Sequence, residues 1–191
     1  MKRIAILSAL VIQFSGLIAQ DFGRRIGDAY VRINDDTTNA FHFEDDSVSV
    51  EFLKLFSNNF EVSIENKLNN LISINWNRSY WIIDGETSKV LLGETMVIDK
   101  QKELAPTIIA PSSKVIKDLY SLDHPSALYP IISGGRSQRH YKKEKSFSVH
   151  RLVLAFDHDG IEFIRGFDIY VTPYDHVREI ERSNRKTRRK N

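Results

Sequence analysis

Residues 69–86 read NNLISINWNRSYWIIDGE and hold both tryptophans of the chain. Ile72, Ile74, Trp76, Tyr80 and Ile82 share one parity, while Ser73, Asn75, Asn77 and Ser79 take the other until Trp81 and Ile83 occupy it. Period-two alternation is a strand signal, because successive side chains point to opposite faces of a sheet. The late apolar takeover of both parities fits a strand running into a region covered on both sides, or two strands meeting at a bend or bulge near Asn77-Arg78. On this reading Trp76 belongs to the core, and Trp81 is the candidate for an exposed binding platform. Asn77-Arg78-Ser79 also matches a glycosylation acceptor.

The same alternation spreads outward from this stretch. Ala29 to Ile33 reads as a short strand, and SVSVEFLKLF and FEVSIENK as an antiparallel hairpin turning at Asn58-Asn59. Downstream, Val90, Leu92, Met96 and Ile98 are inward positions, and TIIA between Pro106 and Pro111 is a short edge strand. KVIKDLY reads as a further strand. The clearest hairpin is SFSVHRLVLAFDHDGIEFIRGFDIYVTPY, which turns at Asp157 to Gly160, has a candidate bulge at Gly166 and ends at Pro173. Strands every eight to twelve residues, with no sustained helical repeat, predict an all-β domain: an immunoglobulin-like or fibronectin-like antiparallel sandwich of seven to nine strands.

The two ends differ from this body. MKRIAILSALVIQFSGLIAQ has Lys2 and Arg3 ahead of an apolar run and reads as a secretory signal peptide over residues 1–19, the mature chain then beginning near Gln20. Residues 178–191 carry seven basic and two acidic residues, a local charge of +5, against a whole-chain charge of +2. With +2 in the leader, residues 20–177 carry 2 − 2 − 5 = −5. The domain is therefore expected over 20–177, followed by a basic tail over 178–191 with too little apolar surface to fold. Cysteine is absent, which removes disulfides, thiolate metal ligation and thiol catalysis.

The search for chemistry returns little. There is no nucleophile elbow, no H-E-x-x-H, no phosphate-cradling glycine loop and no dinucleotide fingerprint. The histidines at 42, 124, 140, 150, 158 and 176 include no pair at ligand spacing. Asp157-His158-Asp159-Gly160 reads as turn chemistry rather than a calcium loop. No catalytic residue, metal or cofactor is assigned. The candidate binding residues are Arg136, Arg139, His140, Tyr141, Lys142 and Lys143 in a long loop over 121–145, Trp81, and Arg185, Arg188 and Arg189 in the tail. Positive charge there on an acidic body points to an anionic envelope component, or another envelope protein, as partner. Export argues against nucleic acid. The expected function is a non-enzymatic exported binding or scaffolding module, periplasmic, envelope-associated or secreted. The alternative is an envelope or secreted hydrolase acting on an anionic substrate through His124, His140 and Tyr141.

The run from Phe60 to Glu94, then Ile108 to Leu119, resembles the WHy-type domain of late-embryogenesis-abundant proteins. The landmarks are Asn66 at a strand end, the aromatic Tyr80, the turn Asp84-Gly85, Gly93 after the next strand, and Pro111-Ser112 before another. Glu65-Asn66-Lys67 stands where that family has an N-P-N step. The layout is also similar to exported bacterial proteins with an N-W-x-x-S-Y strand and an I-A-P-x-S step. Both resemblances imply a sandwich and no catalytic residue.

Overall fold

The parity switch at residues 75–79 is a place where the chain leaves its neighbouring strand and returns to it. A computed structural model describes residues 22–34, 41–95, 102–124 and 130–188; the predicted leader lies outside them. β6 (Ile72–Ile74) and β7 (Tyr80–Ile83) both pair with β11 (Ser148–His158), Ile74 opposite Phe156 and Tyr80 opposite Val153. Residues 75–79 therefore face only residues 154 and 155. Ser79 holds this bulge: its hydroxyl donates to the Asn75 carbonyl (2.9 Å) and accepts from the Ala155 N–H (3.0 Å), while the Asn75 N–H donates to the Ala155 carbonyl (2.8 Å). An odd offset moves the buried set to the other parity. Ile72 and Ile74 are buried before the bulge, Trp76 within it, and Trp81 and Ile83 after it.

Trp81 is thus no platform. It is fully buried, sets its ring edge-on to Phe60 at 5.2 Å, and donates from Nε1 to the Tyr120 carbonyl (3.0 Å). Trp76 is buried as the sequence predicts and donates to Thr107 Oγ1 (2.9 Å). Asn77 clamps Leu104 through both its amide groups, so its nitrogen already has a partner.

The remaining strands are β1 (Arg24–Ile26), β2 (Ala29–Ile33), β3 (His42–Glu44), β4 (Val48–Leu55), β5 (Asn59–Asn66), β8 (Glu86–Leu92), β9 (Thr107–Ile109), β10 (Lys114–Ser121) and β12 (Ile161–Pro173). They join one curled antiparallel sheet in the order β1-β2-β12-β11-β7-β8-β10-β5-β4-β3, with β6 on β11 and β9 on β6. The chain is all-β as expected, but with twelve strands among the described residues rather than seven to nine. β1, β3, β6 and β9 have three residues each, too few to display an alternation. The expected bulge at Gly166 is absent, since β11 and β12 stay in register across it. Arg151 passes beside that glycine to reach Asp168 (2.6 Å). The irregularity lies instead between Phe52 and Lys54.

The core fills the curl. Phe43 and Phe52 pack on Phe167 (5.5 and 5.4 Å), bringing β3 and β4 over β12. Arg165, in the same strand, pairs with Asp45, which also accepts the Ser47 and Val48 N–H groups. Asp84-Gly85 and Asp159-Gly160 form two-residue hairpin turns with positive φ at both positions, as a type I′ turn requires. At the end of β5, Asn66 ties the carbonyls of Asn70 (2.7 Å) and Ile109 (3.0 Å).

Two helices correct the reading of the basic segments. The second half of the expected 121–145 loop is α1 (Gly134–Glu144), and the tail, expected to be disordered from Arg178, is helical through Arg188 in α2 (Tyr174–Arg188). The Gly134-Gly135 pair, inside the expected loop, starts a helix. Ser133 caps the Arg136 N–H (3.2 Å), and the Asp28 carboxylate accepts the N–H groups of Gly134 (2.9 Å) and Gly135 (3.1 Å). A Cβ on Gly134 would lie 2.1 Å from the Asp28 carbonyl oxygen, so the close approach needs glycine there. Gly134→Ala is expected to cost roughly 1–3 kcal/mol. Gly135→Ala, which meets only the far end of Asp28, should change denaturant midpoints little; equal losses at the two positions would show that the approach is not the constraint.

Candidate anion-binding face and the buried histidine network

Asp28, in the β1–β2 turn, also accepts the Tyr174 N–H on its main-chain carbonyl (2.9 Å). One residue therefore fixes the start of both helices on the same end of the sheet. From α2, Val177 is buried and Ile180 half-buried, and residues 181–187 are exposed. With 3.6 residues per turn, Tyr174, Arg178, Arg182 and Arg185 fall on one flank. The Arg25 guanidinium lies 4.0 Å from the centre of the Tyr174 ring, that of Arg178 lies 5.4 Å from it, and Tyr30 stacks on it at 6.1 Å. The result is an arginine stripe rooted on a tyrosine and running out along the helix.

The predicted site residues divide. Arg185 lies in this stripe, Arg188 is the last described residue of the helix, and Arg189 is outside the described residues. Arg139, Lys142 and Lys143 are exposed on α1, with Lys143 paired to Glu144 (3.0 Å). Tyr141 stacks on Phe147 (4.6 Å), and both meet His176 of α2 (5.3 and 4.7 Å). The α1 cations and the α2 stripe consequently flank opposite sides of the α2 root. His140 faces the Ser146 carbonyl (3.0 Å). Arg136 points inward, away from the other cations. Arg25 joins the stripe unannounced in the sequence: no periodicity links a residue before β2 to one after β12, and only the pairing of those strands brings them together.

Arg136 reaches, through Asp84, a buried histidine. Its Nε lies 3.0 Å from Asp84 Oδ2, and its guanidinium also donates to the Pro130 and Ile131 carbonyls. The Asp84 N–H donates to Nδ1 of His150 (3.4 Å), a ring with 1% of its surface exposed. That bond leaves the proton of the neutral imidazole on Nε2. Burial pushes the His150 pKa down to about 4; the Asp84 carboxylate opposes the shift, while Arg136, His124 and His140 add to it. Among the described residues no group of three or more His, Asp and Glu side chains has a metal-holding arrangement.

An open cleft of about 720 Å³ lies elsewhere, between β1 and the β4–β5 turn. Comparison with protein-family models, curated proteins and solved structures finds no match for the chain.

Proposed function

We propose that this protein is a non-enzymatic binding or scaffolding module, exported to the cell envelope or secreted, that attaches to an anionic envelope component. The observation that carries the proposal is the arginine stripe: Arg178, Arg182 and Arg185 lie along a helix that has left the body, with Arg25 of β1 at its root, on a chain whose remainder is acidic. Exposed guanidinium groups, two of them held on an aromatic ring, suit carboxylate, sulfate or phosphate groups. The open cleft is lined by β1 and the β4–β5 turn, not by His124, His140 and Tyr141, which favours binding over hydrolysis at those residues. The leader-like residues 1–19 support export. Among the described residues no helix is long and apolar enough to cross a membrane.

The packing of β3 to β5 over β12 and β7 supports the sandwich, immunoglobulin-like description of the curl. The positions of Asn66 at the end of β5, Asp84-Gly85 between β7 and β8, Gly93 after β8 and Pro111-Ser112 before β10 support the WHy-type resemblance.

Deleting residues 182–191 should leave the melting temperature almost unchanged, because residues 182–187 are exposed. The same deletion should weaken co-sedimentation with anionic vesicles or an anionic polysaccharide. Binding by the intact protein should fade as salt rises from about 10 to 150 mM and the screening length falls from about 30 to 8 Å. Intact and truncated proteins that both ignore every polyanion at low salt would refute the attachment.

A further inference from the structure

Among the described residues β1 pairs with β2 alone, and it stands at one end of the strand order. The turn Gly27-Asp28 closes the pair of Ile26 and Ala29, and Gly27 has the positive φ, 56°, of the first position in a type II′ turn. The closing pair of such a hairpin exchanges both ladder bonds, and bonded and non-bonded pairs alternate. The N–H and C=O of the next residue, Arg25, therefore point away from β2.

Four consecutive residues, Arg24 to Gly27, line the 720 Å³ cleft, and so do the consecutive residues 54–59 of the opposite wall. Unbroken runs line a cleft when backbone edges face it; a strand face would contribute every second residue. The two ends of the curled sheet approach each other here. The Arg24 guanidinium lies 4.6 Å from the centre of the Phe41 ring, and the Phe41 carbonyl accepts the Phe52 N–H of β4 (2.7 Å).

The charge on the walls selects an occupant. Lys54 is paired with Glu61 (2.9 Å), and Asp118 in the floor accepts from the Asn59 amide (3.5 Å). Arg24 and Arg25 are exposed, and among the described residues neither has a carboxylate partner. Phe56 adds an apolar surface, 48% exposed. A second copy pairing β1 against β1 would set these arginines against their own equivalents, which is unfavourable for cross-strand neighbours. A polysaccharide has no backbone ladder to offer.

We propose that the cleft is a strand-acceptor site for an extended acidic segment of a partner protein, which adds to β1 with carboxylates opposite Arg24 or Arg25 and an apolar side chain over Phe56. This inference shares Arg25 with the attachment through α2, and the Arg182 and Arg185 variants below separate the two.

The test uses two end-blocked hexapeptides, one alternating Glu and Val and one alternating Lys and Val, read by amide hydrogen exchange and amide shifts on the full chain. The Glu peptide should slow exchange of the Arg25 N–H at least tenfold and shift residues 24–27 and 54–59, whereas the Lys peptide should do neither. Arg25→Pro removes the outward N–H and leaves the β1–β2 ladder bonds in place, as proline permits on an edge; it should abolish the response with circular dichroism unchanged. Arg25→Ala should weaken binding and retain the protection pattern at saturation, and Arg182→Ala with Arg185→Ala should leave the response intact. Shifts confined to α2 would overturn the proposal, as would undiminished binding by Arg25→Pro. An Arg25 amide already protected without peptide would overturn it in favour of a second copy if protection rises with protein concentration, and of the protein's own N-terminal segment if it does not.

Discussion

Trp81→Ala should lower the unfolding free energy by about 3–5 kcal/mol, as much as Trp76→Ala. Both indoles are completely buried, and each spends its N–H on an acceptor inside the protein. Trp81 sits in β7 between β8 and β11, opposite Leu152 and Ser88, with Phe60 from the far side of the curl against its ring. Truncation would open a cavity where the two sides of the core meet, and strands on three sides limit its collapse. Trp81→Phe should cost distinctly less, because most of the burial remains and the bond to the Tyr120 carbonyl is lost. Urea titrations would read all three. A Trp81→Ala loss below about 1 kcal/mol would mean that the ring is not in the core.

The second large effect is on pH. His150 titrates at about 4 in the folded protein and near 6.5 when unfolded, so the unfolded chain binds more protons between those values. Stability supplied by the neutral buried ring is present in full above pH 6.5 and is lost as pH falls towards 4. At about 1.4 kcal/mol per tenfold change in proton affinity, the loss approaches 3 kcal/mol. Protonation would place a second cation at Asp84, whose carboxylate already holds Arg136. The window is separable from that of the carboxylates. Burial opposes ionisation of Asp45, but the Val48 and Ser47 N–H groups and Arg165 outweigh it and hold the acid below its ordinary range, so its contribution is lost only at the acid end. Urea midpoints measured from pH 7.5 to 4 should fall for the wild type and flatten for His150→Leu. Parallel slopes for the two proteins would remove His150 as the cause.

Much of the sheet is readable from alternation because most of its long strands bury one face. The pattern of β4 and β5, and the long arms of β11 and β12, carry their pairing in the residues themselves. Trp81 defeats the reading for a definite reason. Parity survives only while the chain stays in register, and the offset at residues 75–79 is made by backbone bonds through Ser79, which has no periodic signature. α1 fails differently. Its sequence contains no aliphatic residue, and what holds it is the distant Asp28 carboxylate and the buried Ser137 hydroxyl donating to the Val171 carbonyl (2.5 Å). The positive charge of the candidate site is plain in the composition of the tail. Its partner Arg25 is not, because nothing local predicts that β2 will lie beside β12.

That pairing has a kinetic consequence. β2 meets β12 along Ile33 to Ala29 against Ile169 to Pro173, and the Asp168 N–H donates to the Asn34 side chain across 134 residues of sequence. Strands so far apart in the chain make closure of the sheet a late and slow event, in the millisecond-to-second range seen for β-rich domains. A polypeptide emerging from its N-terminus can build β4 with β5 and β7 with β8 early. The β1–β2 hairpin must wait for β12 before it can join the sheet.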